Sequence, residues 1–317
     1  MSMNGELSQR LEEAARAAWL YYIAGNTQDE IATKLDISRQ VVQRLVALAV
    51  NEKLIKFQLN HPIAKCMELA ARLAGQFELE FCDVVPTDAV TPDAIAGVTA
   101  ATAVRFEKLL STKAPIVPAI GTGLTLRTAV EQLSPMERPQ HKLVSLVGSM
   151  TRDGRATSYE VVMRLGDKIG GQRFPMPMPV LAETAQEREI LQAQRAFALL
   201  CALRAQARAS IAGIGEIGWH APLHRDGFLS DAEIGTLIEQ GAVGEITGWS
   251  FDAEGRILEG GINARLTSLP LEQPLGRPTI IVGNGSRKIM PLHAALRGGL
   301  LSGLITDEAT AAAILAE

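Results

Sequence analysis

Residues 280–306 read IIVGNGSRKIMPLHAALRGGLLSGLIT, and TDEATAAAIL runs on from Thr306. A short β-branched run (Ile280, Ile281, Val282) enters a glycine loop, Gly283, Asn284 and Gly285. The loop opens into a helix with Lys288 near its start. Strand, glycine loop and helix N-terminus together make an anion cradle: backbone N–H groups and the positive helix end point the same way, and a lysine adds a full charge. The same letters also describe an ordinary strand-to-helix turn with a solvated lysine. A second unit of this kind lies at 116–133, IVPAIGTGLTLRTAVEQL. Gly121 and Gly123 allow close backbone approach, Leu124 opens the helix, and Thr122 and Thr125 offer hydroxyls beside its start.

Between these units the chain alternates strand and helix. Strands are expected at Asp83–Pro86, Ile116–Ile120, Leu143–Val147, Ile211–Ile214, Thr279–Val282 and Gly303–Ile305. Helices are expected at 64–77, Thr91–Leu110, Leu124–Leu133, Tyr159–Ile169, Glu183–Ala207, Asp231–Gln240 and Met290–Arg297. That alternation predicts an α/β domain with a mostly parallel sheet covered on both faces. The proline-rich GQRFPMPMPV at 171–180 reads as an extended connection. In open α/β sheets ligands sit beyond the carboxyl ends of the strands. The loops at 121–125, 148–152, 213–216 and 283–288 all belong on that edge, so Gly148 and Arg152 join Lys288 as candidate ligand contacts. Neither the dinucleotide fingerprint nor a Walker A loop is present. In GWSFDAEG, Asp252 either reads a sugar hydroxyl or simply makes a hairpin turn with Gly255.

A different pattern occupies residues 27–50, TQDEIATKLDISRQVVQRLVALAV. Thr27 and Glu30 have capping-box spacing, Asp36 and Ile37 form a tight turn, and Ser38 caps a second helix. Val41, Val42, Leu45, Leu48 and Ala49 line its inner side, which leaves Arg39, Gln40, Gln43 and Arg44 outward. This reads as a helix-turn-helix rather than a plain helical hairpin with a polar face, and arginine and glutamine are the side chains that pair with guanine and adenine edges. Thr27 and Gln28, at the start of the first helix, and Ser38 join these four as candidate DNA contacts. A preceding helix over 10–24 completes a three-helix unit. Leu54–Leu59 partly alternates as a short strand that would begin a wing, and Asn60, His61 and Pro62 mark the boundary between residues 1–61 and 62–317.

Composition narrows the classes. The 317 residues carry a net charge of −4, and the first 60 hold seven Lys/Arg and seven Asp/Glu, so DNA affinity must come from a focused patch doubled by dimerisation. Cys66, Cys82 and Cys201 are an odd number without metal spacing and read as reduced thiols of a cytoplasmic protein. The first residues show no apolar core of a secretory signal, and no apolar run is long enough to span a membrane. His220 and His224 stand four apart, but Gly218, Pro222 and Gly227 place them in a loop, so no metal site is expected. No catalytic constellation or cofactor motif stands out.

The chain resembles the SorC family of bacterial transcriptional regulators from about Ala18 to Leu315. The resemblance rests on the helix-turn-helix, Gly121–Leu126, Leu146-Val147-Gly148, Gly213-Ile214-Gly215, GAVGEITGWSFDAEG at 241–255 and the C-terminal run. It implies an effector domain related to sugar-phosphate isomerases and deaminases. It also implies a homo-oligomer, dimer or tetramer, that binds operator DNA and senses a phosphorylated sugar or polyol. By position, Gly121–Thr125 would meet a phosphate, Lys288 is the family's loop lysine and Asp252 its ligand-facing aspartate. The chain departs from the family at Asn284, where glycine is usual, at Glu216, where a small residue is usual, at Ser210, where aspartate is common, and at Asp36, the usual turn glycine. An active isomerase- or deaminase-like enzyme with a fused DNA-binding module is the alternative reading.

Overall fold

The computed structural model describes residues 3–55, 63–157, 159–272 and 275–316, with backbone alone for residues 3–7. The chain divides into two compact units, Met1–His61 and Pro62–Glu317.

In the first unit α1 (Met3–Tyr22), α2 (Gln28–Leu35) and α3 (Arg39–Asn51) enclose a small core. Thr27 and Glu30 form a full capping box, and the Ser38 hydroxyl accepts the Val41 N–H at 3.3 Å. Each cap satisfies a helix-end N–H and stabilises by about 1 kcal/mol. Asp36 turns the chain in the left-handed region at φ 53°, which short polar side chains tolerate. Ala14, Ala17, Ala18, Ile31, Val42, Leu45, Val46 and Ala49 are buried together. The expected core omitted Val46 and counted Val41 and Leu48, which are only partly buried. The expected strand over Leu54–Leu59 is not formed at Leu54 and Ile55, and its remainder lies outside the described residues.

The second unit is built in chain order from α4 (Ala64–Gln76), β1 (Phe81–Val85), α5 (Ala96–Leu110), β2 (Pro118–Ile120), α6 (Leu124–Glu131), β3 (Lys142–Met150), α7 (Val162–Ile169) and β4 (Gln172–Pro179). There follow α8 (Ala185–Gln192), α9 (Arg195–Arg204), β5 (Ala209–Gly213), β6 (Gly215–Glu216), α10 (Pro222–Arg225), α11 (Asp231–Glu239), β7 (Gly244–Ile246) and β8 (Trp249–Phe251). The unit closes with β9 (Thr279–Val282), α12 (Ile289–Arg297), β10 (Gly303–Asp307) and α13 (Glu308–Ile314). Seven strands form one parallel sheet in the order β1-β10-β9-β5-β2-β3-β4.

Side-chain alternation along β9 assigns the two layers. Ile280 and Val282 pack with Phe106, Leu126, Val130 and Leu165 from α5, α6 and α7. Ile281 faces the other way, with Leu73, Leu292, Leu296 and Ile314 from α4, α12 and α13. Both faces are covered, so the strands are continuous apolar runs. Each large aliphatic side chain buried here contributes about 1.5–3 kcal/mol.

Several expectations need correction. GQRFPMPMPV is an edge strand rather than a connection: it pairs with β3 through register shifts, and an edge position tolerates prolines because their missing N–H groups need no partner. The helix expected over Glu183–Ala207 is two helices, broken where Gln194 adopts an extended backbone at ψ 144°. The helix expected from Thr91 begins at Ala96. Pro222–Arg225, expected as loop, is a short helix. A small antiparallel sheet, β6-β7-β8, was not foreseen at all.

Candidate functional site

The sheet order has one reversal. From β2 the chain builds outward through β3 to β4, and from β5 it builds the other way through β9 and β10. The carboxyl ends of β2 and β5 are therefore the topological switch point, where loops diverge and leave a crevice. Three neighbouring strands, β2, β5 and β9, deliver the glycine loops at 121–123, 213–215 and 283–285 to this place.

Contacts confirm that these loops meet. A methyl on Gly121 would lie 2.9 Å from Ala212 Cβ and 3.4 Å from Thr247 Cγ2, and one on Gly213 would lie 3.3 Å from the Thr122 carbonyl. A methyl on Gly283 would lie 2.7 Å from Ile214 Cγ2. The β7–β8 hairpin closes the crevice through the two-residue turn Thr247-Gly248, both with positive φ (52° and 92°). Gly248 suits such a turn, but a buried β-branched threonine there is strained, a mark of functional sites.

Lys288 is half-buried at the start of α12. Burial lowers its pKa, opposed by the carboxylates of Glu245 and Glu216, while Arg287 adds to the lowering. Glu245 projects over Gly215, where a methyl would meet its Oε1 at 2.0 Å, and Oε2 accepts the Gly248 N–H at 2.7 Å. Burial raises the Glu245 pKa against the pull of the Gly248 N–H and Lys288. A lysine and a glutamate partly desolvated in one crevice form a polar pair that can donate to and accept from hydroxyl groups. Sequence reasoning missed Glu245; it was noticed only within the run 241–255, and nothing local marks it.

Several donors that sequence assigned to a ligand already have internal partners. The Thr122 hydroxyl and the Gly123 N–H (3.4 Å) both donate to the Tyr159 carbonyl. The Gly285 N–H donates to Thr310 Oγ1 at 2.9 Å, and the Ser286 N–H donates to Asp93 Oδ1 at 2.9 Å. Asn284 is buried and donates its carboxamide N–H to the Ala94 carbonyl at 3.0 Å. Leu124 is exposed and Thr125 half-buried on the first turn of α6.

Three expected contacts have other work. Gly148 lies inside β3, and a methyl there would meet the Met178 and Pro179 carbonyls at 2.7 Å; its glycine lets β4 pass. Arg152 is spent on carboxylates, bidentate to Glu183 at 2.7 and 3.1 Å and bonded to Glu233 at 2.8 Å, with Arg265 on Glu233's other oxygen at 2.7 Å. Asp252 organises its own turn: it accepts from the Glu254 and Arg256 N–H groups at 3.0 and 2.9 Å and from Arg256 Nε at 2.8 Å. Partial burial pushes its carboxyl up, yet these bonds hold its pKa below the ordinary value. The turn packs through Gly255 on Ala294 and Gly298, at the C-terminal end of α12. Ala294 is about 9 Å along the helix from Lys288.

His224 is also occupied, with Nδ1 2.9 Å from the Trp219 carbonyl and Nε2 2.7 Å from Asp231. Among the described residues no His, Cys, Asp and Glu cluster could hold a metal, and no helix is long and apolar enough to cross a membrane.

In the first unit, Arg39, Gln40, Gln43 and Arg44 are all exposed on α3. Thr27 is exposed and Gln28 half-buried at the start of α2, and Ser38 caps α3. Arg39 reaches Asp29 at 3.5 Å and Arg44 Nε donates to the Gln40 carbonyl at 3.4 Å, weak contacts that leave the polar face available.

Known proteins match this arrangement. Residues 61–316 match the family model described as "Putative sugar-binding domain". The erythritol catabolism regulatory protein EryD of Brucella abortus (strain 2308) is 33% identical over 306 residues, 96% of each chain. The chain belongs to the SorC family of sugar-binding transcriptional regulators. The deoxyribonucleoside regulator of Bacillus subtilis (strain 168) is 28% identical over 318 residues, 99% of each chain. The full-length sorbitol operon regulator SorC from Klebsiella pneumoniae has the same fold, with a TM-score of 0.72 at 20% identity over 95% of this chain and 97% of that one. A SorC-family member of this kind is a transcriptional regulator, and its relatives carry regulators' names rather than enzymes'.

Proposed function

We propose that the first unit binds operator DNA through α3 and that a sugar- or polyol-type effector in the switch-point crevice changes that affinity. The carrying observation is the convergence of three glycine loops on the half-buried Lys288 and Glu245. Gly121, Thr122, Gly123, Thr125, Gly283, Asn284, Gly285 and Lys288 line or shape the crevice. Lys288 and Glu245 read the ligand's oxygens. A ligand that takes the Thr122 and Gly123 donors displaces the Tyr159 carbonyl, so binding moves the segment that carries it.

On α3, the N-terminal residues Arg39, Gln40 and Gln43 read base edges and Arg44 holds phosphate, the usual division in such a motif. A neutral DNA-binding unit requires paired sites, so the protein acts as a homo-oligomer in the cytoplasm, held together by residues 62–317. It is a sensor rather than a catalyst. The test is titration of DNA from its own control region with and without sugars, polyols and their phosphates. Lys288→Ala should abolish the ligand response and keep DNA affinity. An unchanged response places the site elsewhere, and turnover of a pentose or hexose phosphate would restore the enzyme reading.

A further inference from the structure

Tyr159 bonds in two directions. Its carbonyl accepts from the Thr122 hydroxyl and from the Gly123 N–H at 3.4 Å, and Gly123 starts α6 with no side-chain cap of its own. Its hydroxyl donates to Asp226 Oδ2. Asp226 closes α10, where its N–H donates to the Pro222 carbonyl at 2.9 Å and its Oδ1 lies 3.2 Å from Arg225 Nε. The half-buried Tyr159 packs against the cluster of Val147, Val180, Phe228 and Leu266, which Leu223 of α10 also joins. The glycine loop after β2 and the end of α10 thus share a bonded neighbour.

The two bonds cannot move independently. Burial and the Asp226 bond both raise the phenol's pKa, against Arg225, so the hydroxyl stays protonated and donating. A tyrosine side chain is stiff, with two torsions between backbone and ring. A carbonyl that leaves Thr122 and Gly123 therefore drags the phenol, and the bond to Asp226 weakens unless α10 follows.

We infer that Tyr159 relays the state of the glycine loop to α10: a ligand that takes the Thr122 and Gly123 donors frees the Tyr159 carbonyl and loosens the phenol's hold on Asp226. The ligand's part rests on the effector crevice proposed above, while the bond path between Thr122 and α10 is tested without any ligand.

Thr122→Val keeps the side chain's outline and removes the hydroxyl that Tyr159 accepts. In the full chain without ligand, hydrogen exchange read by mass spectrometry should show the amides of residues 223–229 opening about 3- to 10-fold faster in this variant, the effect of about one lost hydrogen bond. Tyr159→Phe should speed the same amides by a similar factor and cancel any further effect of Thr122→Val, because the path is already cut. His224→Ala is the control: it loosens α10 through the bonds to Trp219 and Asp231 instead, so its effect should multiply with that of Thr122→Val. Parent-like exchange of 223–229 in Thr122→Val, or effects of Thr122→Val and Tyr159→Phe that simply multiply, makes Tyr159 a structural pin and overturns the inference, with the effector crevice untouched. The ligand arm uses erythritol, ribitol, glucitol and the monophosphate of each, with binding read by calorimetry. A probe that binds should speed exchange of 223–229 in the wild type and leave it unchanged in Tyr159→Phe, which still binds the probe. Ligand-induced speeding that survives Tyr159→Phe overturns the inference. A chain that binds none of these probes while its α10 responds to Thr122→Val keeps the bond path and counts against the effector reading alone.

Discussion

Replacing Gly121 with alanine tests whether the switch point is as tightly closed as the geometry states. The new methyl would lie 2.9 Å from Ala212 Cβ, 3.0 Å from Ala212 Cα and 3.4 Å from Thr247 Cγ2. Comfortable carbon–carbon contact is about 3.5–4.0 Å, so β2 and β5 must part by roughly 0.5–1 Å at their carboxyl ends. The Gly121 N–H donates to the Ile211 carbonyl at 2.8 Å, and parting the strands weakens that buried bond. Overpacking costs about 1–3 kcal/mol and the hydrogen bond about 0.5–1.5 kcal/mol more. Gly121 is not among the positive-φ residues, so no backbone strain adds to this. A total of roughly 2–4 kcal/mol is below the about 5–15 kcal/mol that holds a domain folded. The protein should fold and lose about 5–15 °C in Tm, measured by scanning calorimetry. Ala212→Gly in the same chain removes the nearest methyl, so the double mutant should show a favourable coupling of about 1 kcal/mol. Gly123→Ala is the control: its methyl meets nothing within 4 Å but its φ is 127°, so its cost is backbone strain that Ala212→Gly does not relieve. A Gly121→Ala protein with the parent's Tm, or strict additivity with Ala212→Gly, would falsify the close approach of β2 and β5.

Both His224 nitrogens face acceptors, Asp231 and the Trp219 carbonyl, which favours the imidazolium and raises its pKa above 6.5. Its contribution to stability is full below the unfolded pKa and is lost as pH rises through the folded one; an NMR titration should show the raised value, and Asp231→Asn should bring it down. Burial, with Asp83 beside it, pushes the Cys82 thiol up to about 12. Cys82 should therefore resist an aromatic disulfide reagent at mildly alkaline pH until denaturant is added, and rapid native labelling would contradict its burial. Arg39→Ala should weaken operator binding by about 1–3 kcal/mol and random DNA less, with little change in Tm because exposed pairs such as Arg39–Asp29 are worth about 0–1 kcal/mol. Equal weakening on both DNAs, by fluorescence anisotropy, would make Arg39 a backbone contact.

Local physics made the first unit legible. The Thr27–Glu30 box, the Asp36 turn and the Ser38 cap are all decided within four residues, and each is formed. The parallel sheet was legible for a similar reason, since β9 is buried on both faces and reads as an unbroken β-branched run. Where two structures share the same letters, sequence could not choose. Prolines 175, 177 and 179 fit a connection as well as an edge strand, and only the pairing of β3 with β4 decides. Asp252 fits a ligand contact as well as a turn, and only its bonds to the Glu254 and Arg256 N–H groups show that it makes the turn. The break at Gln194 has neither glycine nor proline to announce it. The crevice's own partners were out of reach for another reason: Asp93 meets Ser286 across 193 positions and Tyr159 meets Thr122 across 37. No periodicity or spacing encodes such pairs.

Those long-range pairs bear on how a ligand acts. An effector changes DNA affinity only by binding one arrangement of the protein better than another, with couplings of about 1–3 kcal/mol. A crevice lined with unsatisfied donors would gain a ligand's hydrogen bonds without needing to rearrange. Here Thr122 and Gly123 are already bonded to Tyr159, whose hydroxyl in turn donates to Asp226. A ligand that uses those donors must replace existing bonds, each worth about 0.5–1.5 kcal/mol net. Exchanging one or two of them is enough to produce a coupling of the usual size. The internal satisfaction of the glycine loops is thus compatible with ligand binding, and it supplies the difference between two arrangements that a sensor requires.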